Sequence, residues 1–182
     1  MSEKDALAVL KKVPLFADLE PDQLKEAIRQ TSIVHVAPGV MIFTDGEPGE
    51  AMYVVIVGDV EIVKKVPTGG SRVLATLGSK SVFGEMSLLT EETRSASARA
   101  KSKCSLLKID RAAFHERLAK GDLVALKMTA HLAQIMAGRL RAMDDEVVKL
   151  LAEGSGPDRT GTTTPLYDIS EARDKVMFQW KL

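Results

Sequence analysis

The chain has one cysteine, Cys104, among 182 residues. No internal disulfide can form, which suits a reducing compartment. It has no excess of either charge: 25 Lys and Arg balance 25 Asp and Glu. That excludes a nucleic-acid or anionic-membrane surface spread over the whole molecule. Long apolar runs are absent. The longest, such as 52–57, are strand-sized, far short of the ~20 residues that span a bilayer. The opening segment, MSEKDALAVLKK, is amphipathic but too short and too charged for a secretory signal. The three histidines, His35, His115 and His131, are scattered and show no metal-ligand spacing. Phosphate-loop, nucleophile-elbow and zinc-protease motifs are missing, and no nucleophile–base pair stands out. The expectation is a cytoplasmic, soluble protein that is not an enzyme and binds neither membrane nor metal.

What is present falls into zones of different texture. Residues 1–30 read as an N-terminal helical piece. Ala6, Leu7 and Leu10, then Leu24, Ala27 and Ile28, recur at helical spacing. Pro14 and Pro21 divide it, the second placed where a helix can begin. Residues 31–121 begin with short strands separated by turns. Runs at 32–37, 51–57, 72–77, 97–100 and 105–109 are spaced like a barrel or roll. Gly58-Asp59 can supply the positive φ of a tight hairpin whose return strand carries Val60, Ile62 and Val66. Thr68-Gly69-Gly70-Ser71 reads as a second hairpin tip. Asp110 can then cap a short helix carrying Phe114 and Leu118, which Gly121 ends.

Residues 122–153 read as one long helix. In heptads, Leu126, Thr129, Ala133, Met136, Leu140, Met143, Val147 and Leu150 fall on a and d positions. At the N-terminal end this stripe fits packing on the chain's own roll as well as a partner helix. Beyond Leu140 it fits a partner, because such a helix would run for about 48 Å, longer than so small a roll can cover. Residues 154–182 comprise a linker by composition, GSGPDRTGTTTP, and an apolar segment with Val176, Met177, Phe178 and the sole tryptophan, Trp180. That segment is expected to dock, in cis or in trans.

The informative stretch is FGEMSLLTEETRSA, residues 83–96. A sugar phosphate brings a negative charge that must be met away from bulk water. The planar fork of Arg94 can bond two of its oxygens at once. Gly84 allows close approach of backbone N–H groups at the start of a short helix. Glu85 would repel phosphate but is a good acceptor for a ribose hydroxyl.

The order FGE-M-S-LL-(x)4-RSA resembles the phosphate-binding cassette of the cyclic-nucleotide-binding domain family. Gly46-Glu47-Pro48-Gly49-Glu50-Ala51-Met52-Tyr53, followed by Gly58-Asp59-Val60-Glu61, resembles that family's strand–turn–strand signature. Val13-Pro14-Leu15-Phe16 with Leu19 and Leu24 resembles its N-terminal piece. The similarity covers about residues 10–150. It implies an α+β fold: an antiparallel, jelly-roll-like β-roll flanked by N-terminal helices and a long C-terminal helix. It also implies that Glu85 bonds the ribose 2′-hydroxyl and Arg94 the phosphate. Phe83, Gly84, Met86, Ser87 and Ala96 would shape the pocket, and Ser95 would contact phosphate or base.

Met136-Ala137-Gly138-Arg139-Leu140 resembles the start of the dimer helix in the bacterial catabolite activator family. In that register Met143 and Asp144 fall where the purine is capped. An aspartate accepts only, so Asp144 could take the N1–H and 2-amino protons of guanine or the 6-amino group of adenine. The expected ligand is a cyclic purine nucleotide, cAMP favoured on family frequency and cGMP as the alternative. Met136, Leu140, Met143 and Val147 would form a homodimer seam. After the long helix the sequence has too little left for the activators' DNA-binding domain. The expected output is contact with a protein effector through the helix or tail, not with nucleic acid. The competing expectation is a ligand-independent interaction scaffold on the same fold.

Overall fold

The computed structural model describes residues 9–65, 69–90 and 92–154. The expectations for Ala6 and Leu7, for 155–165 of the linker and for the apolar segment 166–182 lie outside them, as do those for Val66, Thr68 and the Leu150 side chain. The chain divides into two compact units, Met1–Ile135 and Met136–Leu182.

The first unit opens with a 3-10 turn, Pro14–Phe16, and helix α1, Pro21–Arg29. Pro21 sits in the first helical turn, where its missing N–H costs nothing. The Gln23 side chain accepts from the Glu20 backbone N–H at 3.1 Å, half of a reciprocal capping box. Eight strands follow: β1 (Thr31–Val36), β2 (Met41–Phe43), β3 (Ala51–Val57), β4 (Val60–Lys65), β5 (Ser71–Leu77), β6 (Val82–Phe83), β7 (Ser97–Ala100) and β8 (Cys104–Asp110). They build two antiparallel four-stranded sheets, ordered β1-β8-β3-β6 and β2-β7-β4-β5. The short helix α2, Met86–Leu89, lies between β6 and β7. Asp110 accepts from the Ala113 N–H at 3.2 Å and caps α3, Arg111–Ala119. Asp122 does the same for Ala125 at 2.8 Å, at the start of α4, Leu123–Gly154.

Sheet packing explains the sequence texture. Strand β3 is covered on both faces, which is why it reads as an unbroken apolar run rather than an alternation. Met52, Val54 and Ile56 face a core shared with the N-terminal elements, α3 and the first turns of α4, where Phe16, Leu24, Phe114 and Leu132 are buried. Val55 faces the space between the sheets with Phe83, Ala98 and Leu106. The edge strand β5, by contrast, is exposed along most of its length.

One expected connection is different. Gly58-Asp59 does not close a hairpin, because β3 pairs with β6 and β8 whereas β4 pairs with β5 and β7. The turn instead carries the chain from one sheet to the other. Gly58 takes a φ of 92°, and a Cβ there would lie 2.5 Å from the Lys103 carbonyl oxygen. The glycine is needed for a close crossing, not for a tight return. The β4–β5 hairpin is present, Lys65 opposite Ser71.

Along α4, the side chains buried in the first unit are Val124, Ala125, Met128, His131 and Leu132. Leu126 is exposed, so the heptad stripe and the core-facing stripe are separate faces even at the N-terminal end. In the second unit Leu140, Met143 and Val147 are exposed too. Among the described residues no helix is long and apolar enough to cross a membrane.

Candidate functional site

The site is built where the β2–β3 loop folds under the segment joining β6 to β7. Gly84 follows β6 with a φ of 72°, a conformation that side chains disfavour. A Cβ there would lie 2.7 Å from Nη1 of Arg94, so glycine also makes room for the guanidinium. Two backbone bonds clamp the arginine to the loop: Arg94 N–H to the Glu47 carbonyl at 2.8 Å, and Gly46 N–H to the Arg94 carbonyl at 2.9 Å.

The Arg94 side chain is 5% exposed. Its Nη1 donates to the Gly84 carbonyl at 3.1 Å and to the Ser87 hydroxyl at 3.2 Å, and its Nη2 donates to the Ala51 carbonyl at 2.6 Å. The guanidinium carbon lies 4.1 Å from the centroid of the Phe43 ring. The Nε–H is buried and has no hydrogen-bond partner among the described residues. These bonds go to carbonyls and a hydroxyl, not to a carboxylate. Burial pulls the guanidinium's pKa down, and the fields of Tyr53, Glu47, Glu50 and Glu85 act the other way. An arginine remains charged even so. The result is a buried cation with an unused donor, an arrangement that an anion would relieve.

The aromatic floor is a trio. Tyr53 and Phe83 stack with centroids 5.3 Å apart, and Phe43 lies 5.9 Å from Phe83 and 6.1 Å from Tyr53. Burial raises the Tyr53 pKa above its ordinary value. The Phe83 ring thus belongs to the inter-sheet core and supports the site from below. Glu85 is buried beside Gly84, Ser87 is 3% exposed, and Ala96 is half-buried. Met86 and Ser95 stand at the exposed rim, Ser95 Oγ 3.6 Å from the Met86 sulfur.

Side chains from elsewhere brace this segment. Lys64 on β4 bonds the Ser95 carbonyl and Asp45, and the Asp45 N–H donates to Ser97 Oγ at 2.9 Å. The His115 ring is 2.7 Å from the Leu88 carbonyl and ties α2 to α3. The Glu47 pKa is held below its ordinary value, first by the Thr44 N–H and then by the Thr44 hydroxyl.

Gly84, Ser87 and Arg94 are therefore in direct contact, with Glu85 adjoining in the chain and Met86 and Ser95 at the rim. Met143 and Asp144 are exposed residues of the second unit. Phe43, the Ala51 carbonyl and Lys64 were not singled out from the sequence. Phe43 sits just before the glycine-rich turn, and a backbone acceptor leaves no trace in residue type.

A β-roll with a buried arginine behind a glycine-led short helix defines a class of phosphate-binding sensor folds. The cyclic nucleotide-binding domain family matches residues 33–121. The cyclic AMP receptor protein of Thermus thermophilus is 35% identical over 164 residues, covering 81% of this chain and 74% of the relative. The CRP-like cAMP-activated global transcriptional regulator of Mycobacterium tuberculosis is 27% identical over 143 residues, 79% of this chain and 62% of the relative. The crystal structure of Thermus thermophilus catabolite activator protein superposes with a TM-score of 0.67 at 35% identity, covering 75% of this chain and 62% of that one. This chain belongs to the cyclic nucleotide-binding domain family and is a regulatory domain of that kind. It spans 62% of the Mycobacterium relative's length.

Proposed function

We propose that the domain senses cAMP and passes the signal on by protein–protein contact, as a homodimer and without chemistry of its own. The observation that carries this reading is the buried Arg94, which among the described residues has no carboxylate in hydrogen-bond contact and no partner for its Nε–H. A cyclic phosphodiester has one negative charge and two exocyclic oxygens, which suits a single guanidinium. In this reading Arg94 holds the phosphate and Glu85 accepts the ribose 2′-hydroxyl. Phe83, Gly84, Met86, Ser87 and Ala96 shape the pocket, and Ser95 meets phosphate or base.

The preference for cAMP draws support from two relatives that are named for cAMP. Met143 and Asp144 would cap the purine. The carboxylate of Asp144, an acceptor only, is the observation that favours cGMP as the second reading. The stripe of half-buried Met136 and exposed Leu140, Met143 and Val147 would form the dimer seam. With no partner for it among the described residues, the stripe supports an interaction role for α4. The domain limits proposed are 1–30, 31–121, 122–153 and 154–182.

Mass spectrometry of nucleotide released from the purified protein tests the reading. Recovery of cAMP, or retention of added cAMP in preference to cGMP, is the expected result. Selective retention of cGMP supports the second reading. A protein that retains neither at millimolar concentration is a scaffold, and the sensor function falls.

A further inference from the structure

One side chain of β4 ties that strand to the far end of the cassette. Lys64 lies against both carboxylate oxygens of Asp45, Oδ1 at 3.1 Å and Oδ2 at 3.0 Å, and donates to the Ser95 carbonyl. An ammonium has three donors and no acceptor. Three oxygens of the protein meet those three donors, so in this arrangement Lys64 is not itself a ligand for a nucleotide.

Asp45 is fixed from its other side. Its backbone N–H donates to Ser97 Oγ at 2.9 Å, and the next N–H, of Gly46, donates to the Arg94 carbonyl at 2.9 Å. Its side chain is 24% exposed. The carboxylate is therefore held beside the Arg94–Ser95 segment and is only partly open to water.

The consequence follows from the signs of the charges. Glu47, Glu50 and Glu85 already act on the Arg94 guanidinium. An unpaired Asp45 would add a fourth carboxylate to a site that must receive an anion. At an effective dielectric constant of about 20, two unit charges about 10 Å apart still change an affinity roughly tenfold.

We infer that Lys64 is an electrostatic positioning residue of the nucleotide site: it cancels the Asp45 carboxylate and pins it beside Ser95, which lets Arg94 accept an anionic ligand. The inference rests on the cyclic-nucleotide reading above and adds to it a residue from outside the cassette. The pair is neutral in the wild type. It becomes an anion in Lys64→Gln, which keeps a donor for the Ser95 carbonyl, and is neutral again when Asp45→Asn is added.

Calorimetric titration of cAMP into wild type, Lys64→Gln, Asp45→Asn and the double variant makes the test. Lys64→Gln should bind about 3- to 10-fold more weakly at about 0.1 M salt. That deficit should narrow at about 1 M salt, where the screening length falls from about 10 Å to about 3 Å. The double variant should return to within about twofold of the wild type, and Lys64→Arg, which keeps the charge, should stay there. A deficit of equal size at both salt concentrations, with or without Asp45→Asn, assigns Lys64 to bracing the chain and overturns the inference. So does a folded Lys64→Gln with no deficit. Lys64→Met enters the same cycle if glutamine impairs folding. These outcomes all presuppose a wild type that binds cAMP; one that does not overturns the underlying reading together with this inference.

Discussion

The guanidinium of Arg94 rests on the face of Phe43, carbon to centroid 4.1 Å, so the buried cation is held by a ring from a strand about 50 positions away. A desolvated cation–π contact of this kind is worth about 0.5–2 kcal/mol. Phe43→Leu keeps an apolar side chain and removes the quadrupole. It should weaken cAMP binding roughly 2- to 30-fold in a protein whose circular dichroism is unchanged. Equal affinity in the folded variant would remove Phe43 from the account.

Gly84 and Gly39 form a matched pair for a second prediction. Both have positive φ, 72° and 80°, but only at Gly84 would a Cβ meet Arg94; at Gly39 nothing lies within 4 Å. Each change to alanine carries the backbone cost of about 1–2 kcal/mol, which lowers Tm by roughly 2–8 °C in a domain of this size. Only Gly84→Ala should also weaken nucleotide binding, because it displaces the guanidinium. Parallel calorimetric scans and titrations separate the two effects.

Much of this was legible in the sequence, and the gaps have physical causes. Strand β3 was read with its bounds because burial on both faces leaves an unbroken apolar run. Strands β2 and β6, of 3 and 2 residues, are too short to display any period. The Gly58-Asp59 connection was misread as a hairpin because a local turn pattern does not specify which sheet receives the next strand. In the candidate site, Glu85 and Arg94 stand out in the sequence because their proposed chemistry is carried by side chains in one contiguous motif, and the structure buries both. Phe43 at the end of β2, the Ala51 carbonyl at the start of β3 and the wall that Gly49 presents to Ser87 between them are distant in sequence from that motif, and two of those three contribute backbone alone.

The start of α4 supplies a pH prediction. Burial pulls the Asp122 carboxyl upward, but the Ala125 N–H and the Arg117 guanidinium outweigh it and hold the pKa below the ordinary aspartate value. A depressed carboxylate pKa stabilises the fold above the unfolded-state value of about 3.9, and that contribution is lost as pH falls through the lower folded value. Asp122→Asn keeps an N-cap acceptor but not the charge. Its stability deficit relative to wild type should be constant at pH 5–7 and shrink below about pH 3.9. A deficit unchanged down to pH 2 by denaturant titration would contradict the assignment.

The exposed stripe on α4 gives a prediction about assembly. Leu140 and Met143 are 39% and 58% exposed, and burying each against a partner helix would contribute about 1.5–3 kcal/mol. The wild type should sediment as a dimer at micromolar concentration, and Leu140→Glu as a monomer with cAMP affinity reduced or retained according to whether Asp144 caps in trans. A wild type monomeric at high concentration, with and without ligand, rules out the seam.

Calorimetric titration of cAMP into wild type and Arg94→Ala tests the central claim most directly. The alanine variant leaves the phosphate without its buried cation, a loss of about 2–5 kcal/mol, or roughly 30-fold to several thousand-fold in affinity. The account predicts saturable one-to-one binding by the wild type and a loss in that range for a variant shown to be folded. Unchanged affinity in folded Arg94→Ala would contradict it.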